Sequence, residues 1–84
     1  TMFYVYAIYS LRDHRIYVGL TTNTDKRLKA HNAGHTLSTK AYCPWQIFYY
    51  KIISKRELAR NRKKYFKSGI GKERLREKLL EILK

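Results

Sequence analysis

Apolar and polar positions along this chain follow two periods, one of two residues and one near 3.6, and they change over at polar or glycine-bearing breaks. Phe3-Tyr4-Val5-Tyr6-Ala7-Ile8-Tyr9 is aromatic and β-branched and predicts a strand. Both of its alternating sets are apolar or aromatic, so both faces should be covered, as in a central strand. Ser10 to His14 is polar and turn-like, and Arg15-Ile16-Tyr17-Val18-Gly19-Leu20 gives a second strand. So short a connection predicts an antiparallel hairpin. A glycine inside a strand weakens it unless something approaches its backbone closely, which marks Gly19. A third strand is predicted from Trp45 to Ser54.

Thr21 to Thr24 offers N-cap chemistry, with Thr24 or Thr22 as the cap of a first helix. That helix runs through Asp25-Lys26-Arg27-Leu28-Lys29-Ala30-His31 and should stop near Gly34. Residues 32–44 then read as a loop ending at Pro44. Ser54-Lys55-Arg56-Glu57 matches the S-x-x-E capping box, which predicts a second helix starting at Ser54. Its apolar face is Leu58, Ala59, the stem of Arg62, Tyr65 and Phe66. Lys67-Ser68-Gly69-Ile70-Gly71 breaks it, and a last helix from about Lys72 carries Leu75, Leu79, Ile82 and Leu83 on one stripe. The order is ββαβαα, an α+β fold with a three-stranded antiparallel sheet flanked by helices.

Eighty-four residues make a single domain, 1–84, and 44% apolar content supplies one modest core. An aromatic content of 14% argues against disorder. No apolar run approaches the ~20 residues that a membrane span needs, and there is no signal-peptide pattern. The single cysteine, Cys43, excludes an internal disulfide and fits a reducing, cytoplasmic setting.

Charge narrows the partner. Nineteen Lys and Arg against six Asp and Glu leave a net +13, an excess that calls for a polyanion. The stretch from Lys26 to Arg56 contains no acid, and the second helix stacks Lys55, Arg56, Arg60, Arg62, Lys63, Lys64 and Lys67. Solvated basic helices usually interleave carboxylates, so this one reads as a nucleic-acid surface, with Lys40 as a further contact. Tyr42, Trp45 and Tyr50 could stack on bases, although packing is the commoner task for such residues.

Candidate chemistry sits on the hairpin and the first helix. Tyr4-Val5-Tyr6 and Tyr17-Val18-Gly19 lie on paired strands with ten residues between Tyr6 and Tyr17. Arg27 and His31 follow, four apart and so on one helix face. Asn32, Gly34, Thr39-Lys40, Pro44-Trp45 and Lys67-Ser68-Gly69 complete the series. Singly each is weak; in this order and spacing, from about Tyr4 to Leu79, they resemble the GIY-YIG nuclease family, specifically its small single-domain bacterial members. The resemblance implies a three-stranded antiparallel sheet flanked by helices and hydrolysis of DNA phosphodiesters with Mg²⁺ or Mn²⁺. Tyr6 matches the tyrosine of the first motif and Tyr17 that of the second, one of which serves as, or relays to, the base that activates water. Gly19 matches the motif glycine, which leaves room for the scissile phosphate. Arg27 matches the arginine that offsets charge growing on phosphoryl oxygens, and His31 the helix histidine that partners the tyrosine or the phosphate. A tyrosine is a poor base until positive charge lowers its pKa, and Arg27 with a metal would do so.

One position departs from the pattern. The resemblance places a metal-binding glutamate four residues before the lysine of Lys67-Ser68-Gly69, and Lys63 stands there. An ammonium has no lone pair for magnesium, which takes oxygen ligands. A unit charge about 4 Å from a divalent ion repels it by roughly 2 kcal/mol in water and about 8 kcal/mol at an effective dielectric of 20. Glu57 is six residues earlier, about 240° around the helix, and is assigned to the capping box. Glu73 lies beyond the Gly69 break, and Asp25 complements the dipole of the first helix. Three readings of Lys63 follow: a solvated lysine on phosphate backbone, a phosphate-holding remnant of a lost metal site, or a base in metal-free chemistry. The expected partner is DNA, branched or flapped, with structured RNA bound without turnover as the alternative. A protein-docking role for the last helix has less support, because its narrow apolar stripe is needed for the core.

Overall fold

The computed structural model describes all 84 residues. Strand β1 (Phe3–Ser10) pairs antiparallel with β2 (Ile16–Thr21) and with β3 (Trp45–Ile53), giving the sheet order β2-β1-β3. Four helices complete the chain: α1 (Thr24–Asn32), α2 (Leu37–Lys40), α3 (Arg56–Lys67) and α4 (Gly69–Leu83). This is the α+β architecture the pattern predicts, with β1 in the centre and Val5 to Ser10 all buried. The one addition is α2, a single helical turn inside the segment read as loop.

The register sorts residues between the two faces. Residues directly opposite in a ladder share a face, so Tyr6 with Gly19 and Ile8 with Tyr17 line one side, and Ala7 with Val18 the other. The second side is closed by α3 and α4: Val5, Ala7 and Val18 pack with Ala59, Phe66 and Leu75. The first side carries a smaller cluster of Tyr6, Ile8 and Trp45, packed by Leu28, Tyr42 and Cys43. The aromatic strand composition therefore serves two thin cores, one of which contains the phenol of Tyr6.

Several local expectations change. The cap of α1 is Asn23, whose Oδ1 accepts the Lys26 N–H at 3.0 Å; neither Thr22 nor Thr24 does so. The predicted capping box does not form, because β3 runs to Ile53 and α3 starts one residue later than the box requires. Lys55 is then the capping position and has no side-chain hydrogen bond, and Glu57 is left exposed in the first turn. The break before the last helix shrinks from five residues to Ser68 alone. Ser68 ends α3 and also caps α4, accepting the Gly71 N–H at 3.3 Å. Gly69, Ile70 and Gly71 are the first turn of α4 rather than a linker. Gly71 is required there, because a Cβ would collide with the backbone of Tyr65 and Phe66. The stripe of α4 is buried at Leu75 and Leu79, whereas Ile82 and Leu83 are largely exposed. No helix is long and apolar enough to cross a membrane.

Candidate active site

Three elements bring the four predicted side chains together. Tyr6 projects from β1 and Tyr17 from β2 on the same face, because Tyr6 opposes Gly19 and Tyr17 opposes Ile8. Arg27 and His31 project from α1, one helical turn apart. Tyr6 Oη lies 2.9 Å from His31 Nε2, and Arg27 Nε donates to the same oxygen at 3.4 Å. The Tyr17 ring meets His31 edge-on, with centroids 5.2 Å apart. Arg27 also feels the Tyr17 phenol.

The two tyrosines are not equivalent. Tyr6 is 2% exposed, whereas Tyr17 is only half-buried. Gly19 explains how Tyr6 fits: a Cβ at Gly19 would overlap the Tyr6 phenol. The room that Gly19 leaves is filled by Tyr6 and is not open to a phosphate, which corrects the role expected for it.

Burial also sets the proton affinities. Desolvation pushes the Tyr6 pKa above its ordinary value, and the opposing pull of the Arg27 hydrogen bond and charge does not offset it. Arg27 alone therefore does not bring the Tyr6 pKa below its ordinary value in the metal-free domain. Its charge acts in the expected direction; burial acts more strongly. Arg27 is itself held more firmly cationic by its bond to Tyr6. His31 is fully buried, and desolvation together with repulsion from Arg27 lowers its pKa to about 4. It is a neutral imidazole at physiological pH.

The other predicted contacts divide into two places. Arg60, Lys63, Lys64 and Lys67 line one groove on α3 with Glu57 and Asn61. Lys67 links this groove to the cleft, since its Nζ stands 5.6 Å from the centre of the Tyr17 ring. Arg56 is exposed in the first turn of α3 and Lys40 on α2, and neither contacts the four clustered side chains. Of the aromatics, Trp45 is 3% exposed and donates Nε1–H to Thr39 O at 2.9 Å, so it packs and cannot stack on a base. Tyr42 carries the Arg15 guanidinium 3.4 Å above its ring, and Tyr50 is exposed.

Thr39 is the functional neighbour that sequence reasoning left without a role. It is fully buried, and its Oγ1 lies 2.8 Å from His31 Nδ1. Its spacing placed it in the motif series, but its contact with His31 depends on the turn that brings α2 back to α1.

A divalent ion does not fit this donor set. No carboxylate takes part in the hydrogen bonds or the electrostatics of Tyr6, Arg27 or His31. Asp13 pairs with Arg15 at 2.8 Å in the hairpin turn, Asp25 and Glu57 sit in first turns of helices, and the remaining acids belong to α4. The half-buried residue at the critical position of α3 is Lys63.

A hairpin with two inward tyrosines, backed by a helix bearing arginine and histidine, is the arrangement of a GIY-YIG domain. The chain belongs to that family: the model of the GIY-YIG catalytic domain matches residues 2–76. Domains of this family are generally nucleases that act on DNA and use a divalent metal. Within it, the chain is similar to the UPF0213 proteins. One from Bacillus licheniformis is 39% identical over 74 residues, covering 84% of this chain and 75% of the relative. One from Clostridium perfringens is 33% identical over 75 residues, covering 88% and 80%. The solution NMR structure of a UPF0213 protein from Bacillus halodurans superposes with a TM-score of 0.56 at 28% identity, covering 92% of this chain and 84% of that one.

Proposed function

We propose that this domain binds nucleic acid, DNA above all, with a phosphodiester seated against Tyr17 and Arg27 and the flanking backbone on the cations of α3. The observation that carries this reading is the convergence of Tyr6, Tyr17, Arg27 and His31 into one cluster, with Lys67 against the Tyr17 ring. Arg27 supplies a fixed cation, partly withdrawn from water, where charge on a phosphoryl oxygen is stabilised most. Tyr17, the more accessible of the two phenols, is the one that meets substrate. Tyr6 stands behind it and holds Arg27 and His31 in place.

Hydrolysis of the bound phosphodiester is the family's activity, and here its metal-dependent form is weak. Lys63 removes the oxygen ligand and adds a like charge. The substrate form proposed is branched or flapped DNA, with its backbone continuing from Tyr17 onto Arg60, Lys64 and Lys67 of the α3 groove. Lys40 and Arg56 serve as outlying phosphate contacts. The second reading is a binding module for structured RNA without turnover, favoured by the carboxylate-free cleft alone.

Labelled flap DNA, fork DNA and a structured RNA incubated with the protein and Mg²⁺ or Mn²⁺ separate these readings. DNA should bind more tightly than RNA, Arg27→Ala should weaken binding, and Lys63→Glu should cleave faster than the parent. Preference for RNA, with no cleavage by Lys63→Glu, would leave the binding-module reading in its place.

A further inference from the structure

The imidazole beside Tyr6 has a direction, and Thr39 sets it. The Thr39 hydroxyl donates to Thr36 O at 3.4 Å, because a carbonyl oxygen only accepts. Its lone pair is therefore left for the Nδ1–H of His31 at 2.8 Å. At the other end Arg27 Nε–H donates to Tyr6 Oη, which leaves the phenolic proton for His31 Nε2 at 2.9 Å. The hydrogen bonds then run one way: Tyr6 to His31, His31 to Thr39, Thr39 to Thr36. We propose that Thr39 is a positioning residue that holds His31 as the Nδ1–H tautomer, so that Nε2 is a free lone pair facing the Tyr6 phenol. The inference deepens the reading of the cleft given above and rests on it for its consequence, but not for its measurement.

The position of the hydroxyl is over-determined. Thr39 O accepts from Trp45 Nε1 at 2.9 Å. Cys43 Sγ donates to His31 O at 3.0 Å, and the Asn32 amide brackets the Trp45 backbone at 2.6 and 3.1 Å. Helix α2 is thus tied both to α1 and to the start of β3. The backbone of Thr39 is thereby held beside His31.

The chemical consequence is a route for one proton. When Tyr6 ionises, its O–H bond breaks and an Nε2–H bond forms; Arg27 holds the phenolate and Thr39 holds the other N–H of the imidazolium. The opposite tautomer has no lone pair at Nε2 and cannot accept. Burial keeps the proton on Tyr6 in the free domain. A phosphate on Arg27 would offset the repulsion that Arg27 exerts on His31 and so favour the transfer.

Long-range ¹H–¹⁵N correlation of the His31 ring at neutral pH tests this without any substrate. The native domain should carry its proton on Nδ1 and none on Nε2. Thr39→Val keeps the shape but removes the acceptor, so the proton should move to Nε2, and Thr39→Ser should restore the native pattern. A native spectrum with Nε2 protonated would overturn the proposal, as would Thr39→Val retaining Nδ1–H. If Thr39→Val does not fold, the native and Thr39→Ser spectra decide. Failure of the domain to bind DNA would overturn the proposed function and leave the tautomer result standing.

Discussion

The phenolic oxygen of Tyr6 lies 2.9 Å from Nε2 of His31 and 3.4 Å from Nε of Arg27, on a ring that is 2% exposed. A titratable pair this deep couples the stability of the fold to the state of the site.

His31 gives the first prediction. Its folded pKa of about 4 lies below the ordinary 6.5, so the unfolded chain takes up a proton at higher pH than the folded one does. The neutral imidazole is therefore compatible with full stability above pH 6.5, and stability falls as pH drops from there towards 4. The loss integrates to up to about 3 kcal/mol. Urea melts across this range should show it in the native domain and a flatter profile in His31→Gln. Parallel profiles would mean that His31 is not held neutral.

Gly19 supplies a packing test. Gly19→Ala places a methyl in the volume of the Tyr6 phenol and should cost roughly 1–3 kcal/mol. In a Tyr6→Ala background the same methyl should cost little, so the double-mutant cycle should be strongly non-additive. Additive effects would separate the two residues.

At the junction of α3 and α4, Gly71→Ala would force a Cβ against backbone rather than a movable side chain. The two helices would have to part, with a loss of several kcal/mol on the scale of core overpacking and lost burial of Phe66. Gly69→Ala, where nothing lies within contact distance, should be near neutral or stabilising by thermal melt.

Binding to duplex DNA should weaken by about 0.9 log unit of affinity per log unit of salt for each phosphate neutralised. Replacing Arg60, Lys64 and Lys67 together by Ala should reduce that slope by up to about 2.7, three times 0.9. Fluorescence anisotropy across a salt series measures it, and an unchanged slope would remove the α3 groove from the interface.

Lys63→Glu should bind Mn²⁺ more tightly than the native domain does. Removing the repulsion alone is worth a factor of about 30, from roughly 2 kcal/mol at 4 Å in water. Mn²⁺ should then broaden the Tyr17 ring resonances more in the variant than in the native domain. Equal broadening in both would move the metal position elsewhere.

The sequence by itself determined what depends on near neighbours along the chain. Apolar residues on both alternations placed β1 in the middle of the sheet, the short polar link made the hairpin, and the four-residue spacing put Arg27 and His31 on one face. The order of the tyrosine motifs identified the family, and the +13 charge set the expectation of a polyanionic partner. Tertiary structure decided what depends on contacts between distant segments. It chose Asn23 over two threonines as a cap, because the exact exit of the chain from β2 sets which side chain meets the Lys26 N–H. It filled the space above Gly19 with a ring rather than a phosphate. It brought Thr39 to His31 and Lys67 to Tyr17, pairs separated by 8 and 50 residues. It also set burial against charge at Tyr6, and burial won. Periodicity records which face a side chain occupies; desolvation and hydrogen-bond direction depend on what folds over that face.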